Sequence, residues 1–443
     1  MKPGWATPAD FNERGARMHA LVAELYPICR SITGPGLRQT LDALARLVPL
    51  ARHEIPSGTA ALDWIVPPEW TIRDAYVKDA SGRRVIDFQH HNLHVVQYSV
   101  PVHARMSLAE LRPHLHSLPD RPSWIPYRTT YYEPTWGFCL PHEQLESLAE
   151  GEYEVCIDAE LAPGALSYGE VILPGETSDE VLFSSHVCHP SLANDNLSGV
   201  AVAVELARWL AALRQRRFTY RFVFAPGTIG ALVWLSQHDE TLSRIRAGLV
   251  LSLLGDSGGS TYKRTRRGDT ELDTAAEHVL QVWGGAHQIR DFTPTGYDER
   301  QYGSPGFELP VGCLMRTPPG EYPEYHTSAD DLDLVKPDCL ADSWQKAAAI
   351  VELLERNRRY RNLQPYGEPQ LGRRGVYAAV AARVDRASLL AALPWVLNLA
   401  DGRHSLLDTA ERAGLSFWQV AEVADLLEQF GLLAPVDDAG PHP

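Results

Sequence analysis

The chain has 443 residues, 44% hydrophobic and 22% charged, the balance of a soluble globular protein with apolar material for more than one core. Lys and Arg number 41 against 56 Asp and Glu, a formal charge of −15, which excludes a surface built throughout to hold nucleic acid or anionic lipid. No apolar run approaches the about 18 residues that span a bilayer, and Met1-Lys2-Pro3-Gly4-Trp5 opens no signal-peptide core, so a cytoplasmic protein without membrane partners is expected.

In chain order, apolar residues at three-to-four spacing (Met18, Leu21, Leu25, Cys29, then Leu41, Leu44, Val48) predict helices within 9–49, divided at Thr33-Gly34-Pro35-Gly36. Over 55–165 Pro becomes frequent and short β-like runs, 93–100 and 153–157 among them, predict a mostly β domain. After Gly169 strands are expected at 171–173, 181–185, 220–225, 247–254 and 310–316. Helices are expected at 197–213, 229–237, 272–283 and 339–356. Apolar strands alternating with helices predict an α/β sheet covered on both faces, with ligands beyond the carboxyl ends of its strands.

The tail reads as a winged-helix-like module. Ser405-Leu406-Leu407-Asp408 starts a helix that Gly414 ends, and Ser416-Phe417-Trp418-Gln419 has capping-box spacing before a helix over 420–430. That second helix carries Glu422, Asp425 and Glu428 and no Lys or Arg, the wrong charge for the major groove. Protein or intramolecular packing is its expected use, and no nucleic-acid partner is expected. The domains predicted are 1–54 with 166–365, 55–165, and 370–436. The six cysteines are sparse and lack any Cys-x-x-Cys pairing, which suits small buried side chains in a reducing compartment.

Chemistry concentrates in Ser185-His186-Val187-Cys188-His189-Pro190-Ser191-Leu192-Ala193-Asn194-Asp195-Asn196-Leu197-Ser198-Gly199. A strand ends in His186, a polar loop supplies Asp195, and a helix opens at Gly199. Imidazole and carboxylate on rigid element ends suit zinc, although for His186 alone a helix-capping loop with an incidental histidine explains as much. Asp256 follows another predicted strand, and Glu324-Tyr325-His326-Thr327-Ser328-Ala329-Asp330 places a His in a loop after a third.

At these residues the chain resembles the co-catalytic zinc aminopeptidases and glutamate carboxypeptidases, over roughly 1–50 and 165–360. The resemblance implies their α/β fold, zinc, and ligand roles for His186, Asp195, Asp256 and His326. Ile125-Pro126-Tyr127-Arg128-Thr129-Thr130-Tyr131-Tyr132, Trp136-Gly137-Phe138-Cys139, Asp298-Glu299-Arg300-Gln301-Tyr302 and Glu321-Tyr322-Pro323-Glu324-Tyr325-His326 are more similar still to a bacterial aminopeptidase-like subgroup associated with polysaccharide or natural-product biosynthesis. Its members have an inserted β domain and a terminal winged helix.

One departure bears on mechanism. Where the zinc aminopeptidases have two acidic residues, a general base and then a metal ligand, this chain has Gly227 and Thr228. Thr is a poor ligand, so one zinc is expected rather than two. Gly227 cannot take a proton, and a positioned base is worth roughly 10²–10⁴-fold, so ordinary peptidase activity should be weak. Glu299 and Glu324 are candidate proton handlers, and Arg300 and Tyr325 candidate substrate contacts.

Gly255-Asp256-Ser257-Gly258-Gly259 matches a serine-protease segment but stands in an α/β region without triad partners. Gln89-His90-His91-Asn92-Leu93-His94 reads as a His-rich β edge. The expectation is therefore a zinc-dependent, aminopeptidase-like hydrolase acting on an amino-acid or peptide-like substrate, assembled as a homo-oligomer. The alternatives are a zinc-dependent aminoacyl or acyl transferase, as in zinc glutaminyl cyclases, and a catalytically silent metal-binding scaffold.

Overall fold

The structure, a computed structural model, describes residues 8–383 and 385–436; the opening Met1–Trp5 segment lies outside them. The described residues divide into two compact units, one of residues 11–268 and 288–344, the other of 8–10, 269–287, 345–383 and 385–436. Among the described residues no helix is long and apolar enough to cross a membrane.

The first unit is built on an eight-stranded mixed sheet. Its spatial order is Ala51–Pro56, Ala165–Leu173, Thr219–Ala225, Glu180–His186, Ile245–Leu251, Val311–Met315, Ser260–Lys263 and His287–Arg290. The four central strands, from Thr219–Ala225 to Val311–Met315, run parallel. They are the chain's apolar runs, and burial on both faces explains why they do not alternate. Phe183 lies opposite Phe222, with the rings stacked at 4.8 Å.

Polar cross-links fix the strand order. Arg221, 5% exposed, donates to Glu180 at 2.6 Å and to Glu170 at 2.6 Å, tying three neighbouring strands together. Trp234 Nε1 adds a bond to Glu170 at 2.9 Å. The helices Gly199–Ala212 and Ile229–Gln237 are buried along most of their length, as helices laid on a sheet must be. A Cβ at Gly199 would lie 2.3 Å from Leu251 O, so only glycine lets that helix start so close to the sheet.

A four-stranded antiparallel sheet, in the order Arg84–Asp87, Glu69–Lys78, Glu152–Ala162 and Val102–Ser107, lies in the predicted β region. Glu152–Ala162 alternates buried with less buried positions, the period-two pattern of a half-buried strand. The strand expected at 93–100 does not form. His91 Nδ1 accepts from Leu93 N, closing a 3₁₀ turn at Asn92–His94, and Val95 and Gln97 make single bridges only. All of residues 93–99 are buried, so their apolar run reports burial rather than a strand.

In the second unit three antiparallel strands, Asp401–Ser405, Arg359–Asn362 and Leu433–Val436, accompany the helices Leu406–Ala413 and Phe417–Gln429, which gives a winged helix. Ser405 and Asp408 form the capping box, and Gly414 ends the first helix at φ 63°. The acidic residues of the second helix have partners within the unit: Asp425 pairs with Arg356 at 2.6 Å, Glu422 with Arg383 at 3.3 Å, and Glu428 accepts from the Tyr360 hydroxyl. Helix Glu271–Trp283 belongs to this unit, where His278 Nε2 accepts from Phe417 N at 2.9 Å.

Candidate metal centre

The Glu180–His186 strand is buried throughout and ends at the carboxyl edge of the parallel strands, where His186 projects. The loop that follows is fastened to the segment after the neighbouring strand. Asn196 Nδ2 donates to Ser185 Oγ and Leu251 O, and Asn196 Oδ1 accepts from Leu253 N at 3.0 Å. Asn194 Oδ1 accepts from Gly255 N at 2.8 Å, and Ser198 Oγ accepts from Leu254 N at 2.8 Å. Asp330 Oδ1 and Oδ2 accept from the backbone N–H groups of Asn194 and Asp195 at 2.5 and 3.0 Å. The Asn and Ser residues around Asp195 thus hold it in place by side-chain bonds to backbone.

Held this way, Asp195 meets three histidines. His186 Nε2 lies 2.8 Å from Oδ1, His326 Nε2 3.0 Å from Oδ2, and His189 Nε2 3.8 Å from Oδ2. Ligand atoms of His186, His189 and Asp195 lie within 4.8 Å of one another. His326 has φ 56°, a backbone conformation few non-glycine residues adopt, which the surrounding loop must enforce. Tyr127 N donates to His326 O, and Ser328 N to Ile125 O, joining two of the motifs singled out in the sequence. His326 is 35% exposed, whereas the other three side chains are at most 8% exposed, so the cluster opens on the His326 side.

The electrostatics favour the ligating protonation states. Burial lowers the pKa of His186, and lowers that of His189 to about 3, so both rings stay neutral. Burial opposes ionisation of Asp195, but the surrounding imidazoles outweigh it and hold the carboxyl well below its usual range. Neutral imidazole and ionised carboxylate are what a divalent metal requires. His186 Nδ1 is buried without a hydrogen-bond partner. Three imidazoles and one carboxylate fit zinc in number and kind.

Aromatic rings wall the cluster. Tyr297 stacks on His186 at 3.5 Å and Tyr325 on His326 at 4.0 Å, while Tyr127 lies 5.0 and 5.1 Å from His189 and His326. Tyr325 also lines a cavity of about 420 Å³ with Arg121, Glu321 and Tyr322. Tyr297 explains the space at Gly227, because a Cβ there would lie 2.3 Å from the Tyr297 ring and 2.5 Å from its hydroxyl. Gly227→Glu is therefore expected to be overpacked, costing roughly 1–3 kcal/mol. It should bring no gain in aminoacyl-nitroanilide turnover. Calorimetric melting and an initial-rate assay check this, and a stable variant with a large rate gain would show that Tyr297 yields its place.

The structure brings His186, Asp195 and His326 together and adds His189, which sequence reasoning had left without a role despite its His-x-x-His spacing. Asp256 stands outside the cluster. Its Oδ1 accepts from Gly258 N at 2.7 Å and Thr317 Oγ1 at 2.6 Å, and its Oδ2 from Asn194 Nδ2 at 3.1 Å, so the carboxylate braces the loop. Glu299 is fully buried, with Oε1 2.8 Å from Lys263 Nζ and both oxygens accepting from Tyr297 N. That engagement suits anchorage of the Tyr297 loop rather than proton transfer. Glu324, two residues before His326, is half-buried and its carbonyl accepts from Thr327. Arg300 is half-buried, with Nε lacking a partner.

A mixed sheet carrying a buried His/Asp cluster beyond its parallel strands defines an aminopeptidase-like α/β protein. A zinc aminopeptidase from Bacillus subtilis superposes with a TM-score of 0.56 at 15% identity, over 76% of this chain and 94% of that one. A peptidase M28 precursor from Shewanella amazonensis gives 0.55 at 14%, over 78% and 95%. At such identity the likeness is one of fold. The chain belongs to the family described as a domain of unknown function (DUF4910), which matches residues 19–357, and a winged helix-turn-helix matches 358–435. A Clostridium acetobutylicum protein named for polysaccharide biosynthesis and an aminopeptidase-like domain is 47% identical over 422 residues, 95% of this chain and 97% of that one. A crystal structure from the same organism, named as a peptidase, superposes with a TM-score of 0.92 at 45% identity, over 97% of this chain and 98% of that one.

Proposed function

We propose that this chain is a zinc-dependent, aminopeptidase-like hydrolase of an amino-acid or peptide-like substrate, serving a biosynthetic pathway in the cytoplasm. The observation that carries the reading is the buried His186–His189–Asp195 group with His326 on its open side, a donor set that suits one zinc ion. The name of the Clostridium relative supports the biosynthetic setting, and six unpaired cysteines support a reducing compartment.

Zinc held there would polarise a substrate carbonyl as a Lewis acid. The chain's own residues do the rest. Asp195 keeps its negative charge among the histidines and shares its oxygens between His186 and His326. Tyr127, Tyr297 and Tyr325 exclude water from the cluster's flanks and hold the imidazole planes. Glu324, two residues before His326, is the proton handler in this reading, and Arg300 remains a candidate substrate contact.

A second reading, aminoacyl or acyl transfer, is favoured by Tyr297. A phenol beside Gly227 can donate a hydrogen bond, and burial raises its pKa well above the ordinary value, so it keeps its proton and does not act as the base. Chelated protein reconstituted with zinc, assayed on aminoacyl-nitroanilides with and without an amine acceptor, separates the cases. Slow hydrolysis restored by about one zinc per chain supports the hydrolase. Product formed only with the acceptor supports transfer. Zinc-independent turnover contradicts both.

A further inference from the structure

Beside the metal cluster the first unit buries a positive charge that no acid among the described residues neutralises. Arg30 is 0% exposed. Its Nε donates to the carbonyl of His189 at 3.0 Å and its Nη1 to Leu25 O at 2.5 Å, while Nη2 is buried with no partner. Arg221, similarly buried, lies between Glu170 and Glu180, and Arg316 pairs with Asp342. Among the described residues Arg30 has no such carboxylate. A buried charge left uncompensated is strongly unfavourable, so an anion is the missing component.

The surroundings of Arg30 show the same deficit. Gln97 Oε1, in a residue 0% exposed, is also buried without a hydrogen-bond partner, and the buried Ser31 side chain has the Tyr131 hydroxyl as its neighbour. Gln97 Nε2 points to Cys29 Sγ at 3.9 Å, which places the amide beside the Cys29-Arg30-Ser31 segment. Tyr131 adjoins Ser31, and its hydroxyl lies 3.2 Å from that of Tyr127, the ring that packs against His189 and His326. Tyr131 is only partly buried and precedes exposed Tyr132. Unsatisfied polar atoms gathered in this way mark a missing partner, since most buried polar groups find one.

We propose that Arg30, Ser31 and Gln97 form the subsite for a carboxylate of the substrate, with Tyr127 between it and the metal cluster. The proposal deepens the reading of the same centre and rests on it. A carboxylate oxygen would accept a charge-assisted bond from the unpartnered Nη2 of Arg30 and a further one from Ser31. Gln97 Oε1 is an acceptor, suited to the N–H adjoining such a carboxylate in an amino acid or peptide. The substrate class is therefore one with a free carboxylate near the bond that reacts.

The test titrates the full chain, zinc-loaded and zinc-free, with alanyl-alanine and its C-terminal amide by calorimetry. The acid is expected to bind about tenfold more tightly than the amide in both forms. Arg30→Gln should abolish the difference, and Arg30→Lys should restore part of it. If Arg30→Gln does not fold, Arg30→Lys carries the comparison, with an expected loss of roughly threefold to tenfold for the acid only. Equal binding of acid and amide overturns the proposal, as does no binding of the acid up to about 10 mM. Inorganic phosphate displacing the acid at equal concentration, or a preference that survives Arg30→Gln, overturns it too. Acid preference in a protein that takes up no zinc would remove the metalloenzyme reading and leave the subsite, while zinc uptake without acid preference would do the reverse.

Discussion

Asp195→Asn is expected to remove zinc from the purified protein. Asn offers one acceptor oxygen and one amide, so it cannot serve His186 and His326 together as the two carboxylate oxygens do. It also removes the single negative charge among three imidazoles. Outer partners of metal ligands are worth roughly 10–100-fold in affinity, so loss of a direct ligand should exceed 100-fold or so. The backbone of residue 195 keeps its bond to Asp330, and the Asn194 and Asn196 braces remain, so the fold should persist. Equilibrium dialysis followed by elemental analysis measures the effect. Asp256→Asn is the contrasting variant: it should leave zinc content near that of the unaltered protein and instead loosen the loop, because Asp256 bonds Gly258, Thr317 and Asn194. Equal zinc loss in the two variants would contradict the placement of Asp256 outside the centre.

Lys263→Met should be among the most destabilising single changes in the first unit. Lys263 and Glu299 are 7% and 0% exposed at their side chains and meet at 2.8 Å, and Lys263 also donates to Thr295 O. Removing one member of a buried pair leaves the other charged in a poor solvent, at a cost of roughly 3–5 kcal/mol. Glu299 in turn accepts from Tyr297 N, so the loss should reach the ring stacked on His186. The double variant Lys263→Met with Glu299→Gln removes the orphaned charge and should melt above the single variant. A single variant that melts with the unaltered protein would show that Glu299 is not charged there, which would return it to the candidates for proton transfer.

Much of the fold is legible in the sequence because the parallel strands are continuous apolar runs between helices, and burial on both faces produces that pattern. His186, Asp195 and His326 are legible for a related reason: each follows a strand or opens a polar loop at the sheet's carboxyl edge. Asp256 shows where that reasoning fails. The strand ends at Leu251 rather than near 254, Leu253 takes φ 54°, and the Asp256 oxygens are taken by Gly258, Thr317 and Asn194. Glu299 reads as a free carboxylate in a family-specific loop because its partner, Lys263, lies 36 residues upstream. Nor could a sequence show that the space at Gly227 is filled by Tyr297, since that contact exists only when the two loops meet. His189 had a visible signal in its spacing from His186, but only the loop's path turns the two rings toward one carboxylate.

The account turns on one zinc ion held by His186, His189, Asp195 and His326. Anomalous diffraction at the zinc edge, from crystals of the zinc-reconstituted chain, tests it most directly. The predicted result is a single peak about 2.0–2.2 Å from a nitrogen of each histidine and an oxygen of Asp195. No peak among these four side chains, or a second ion alongside the first, would contradict it.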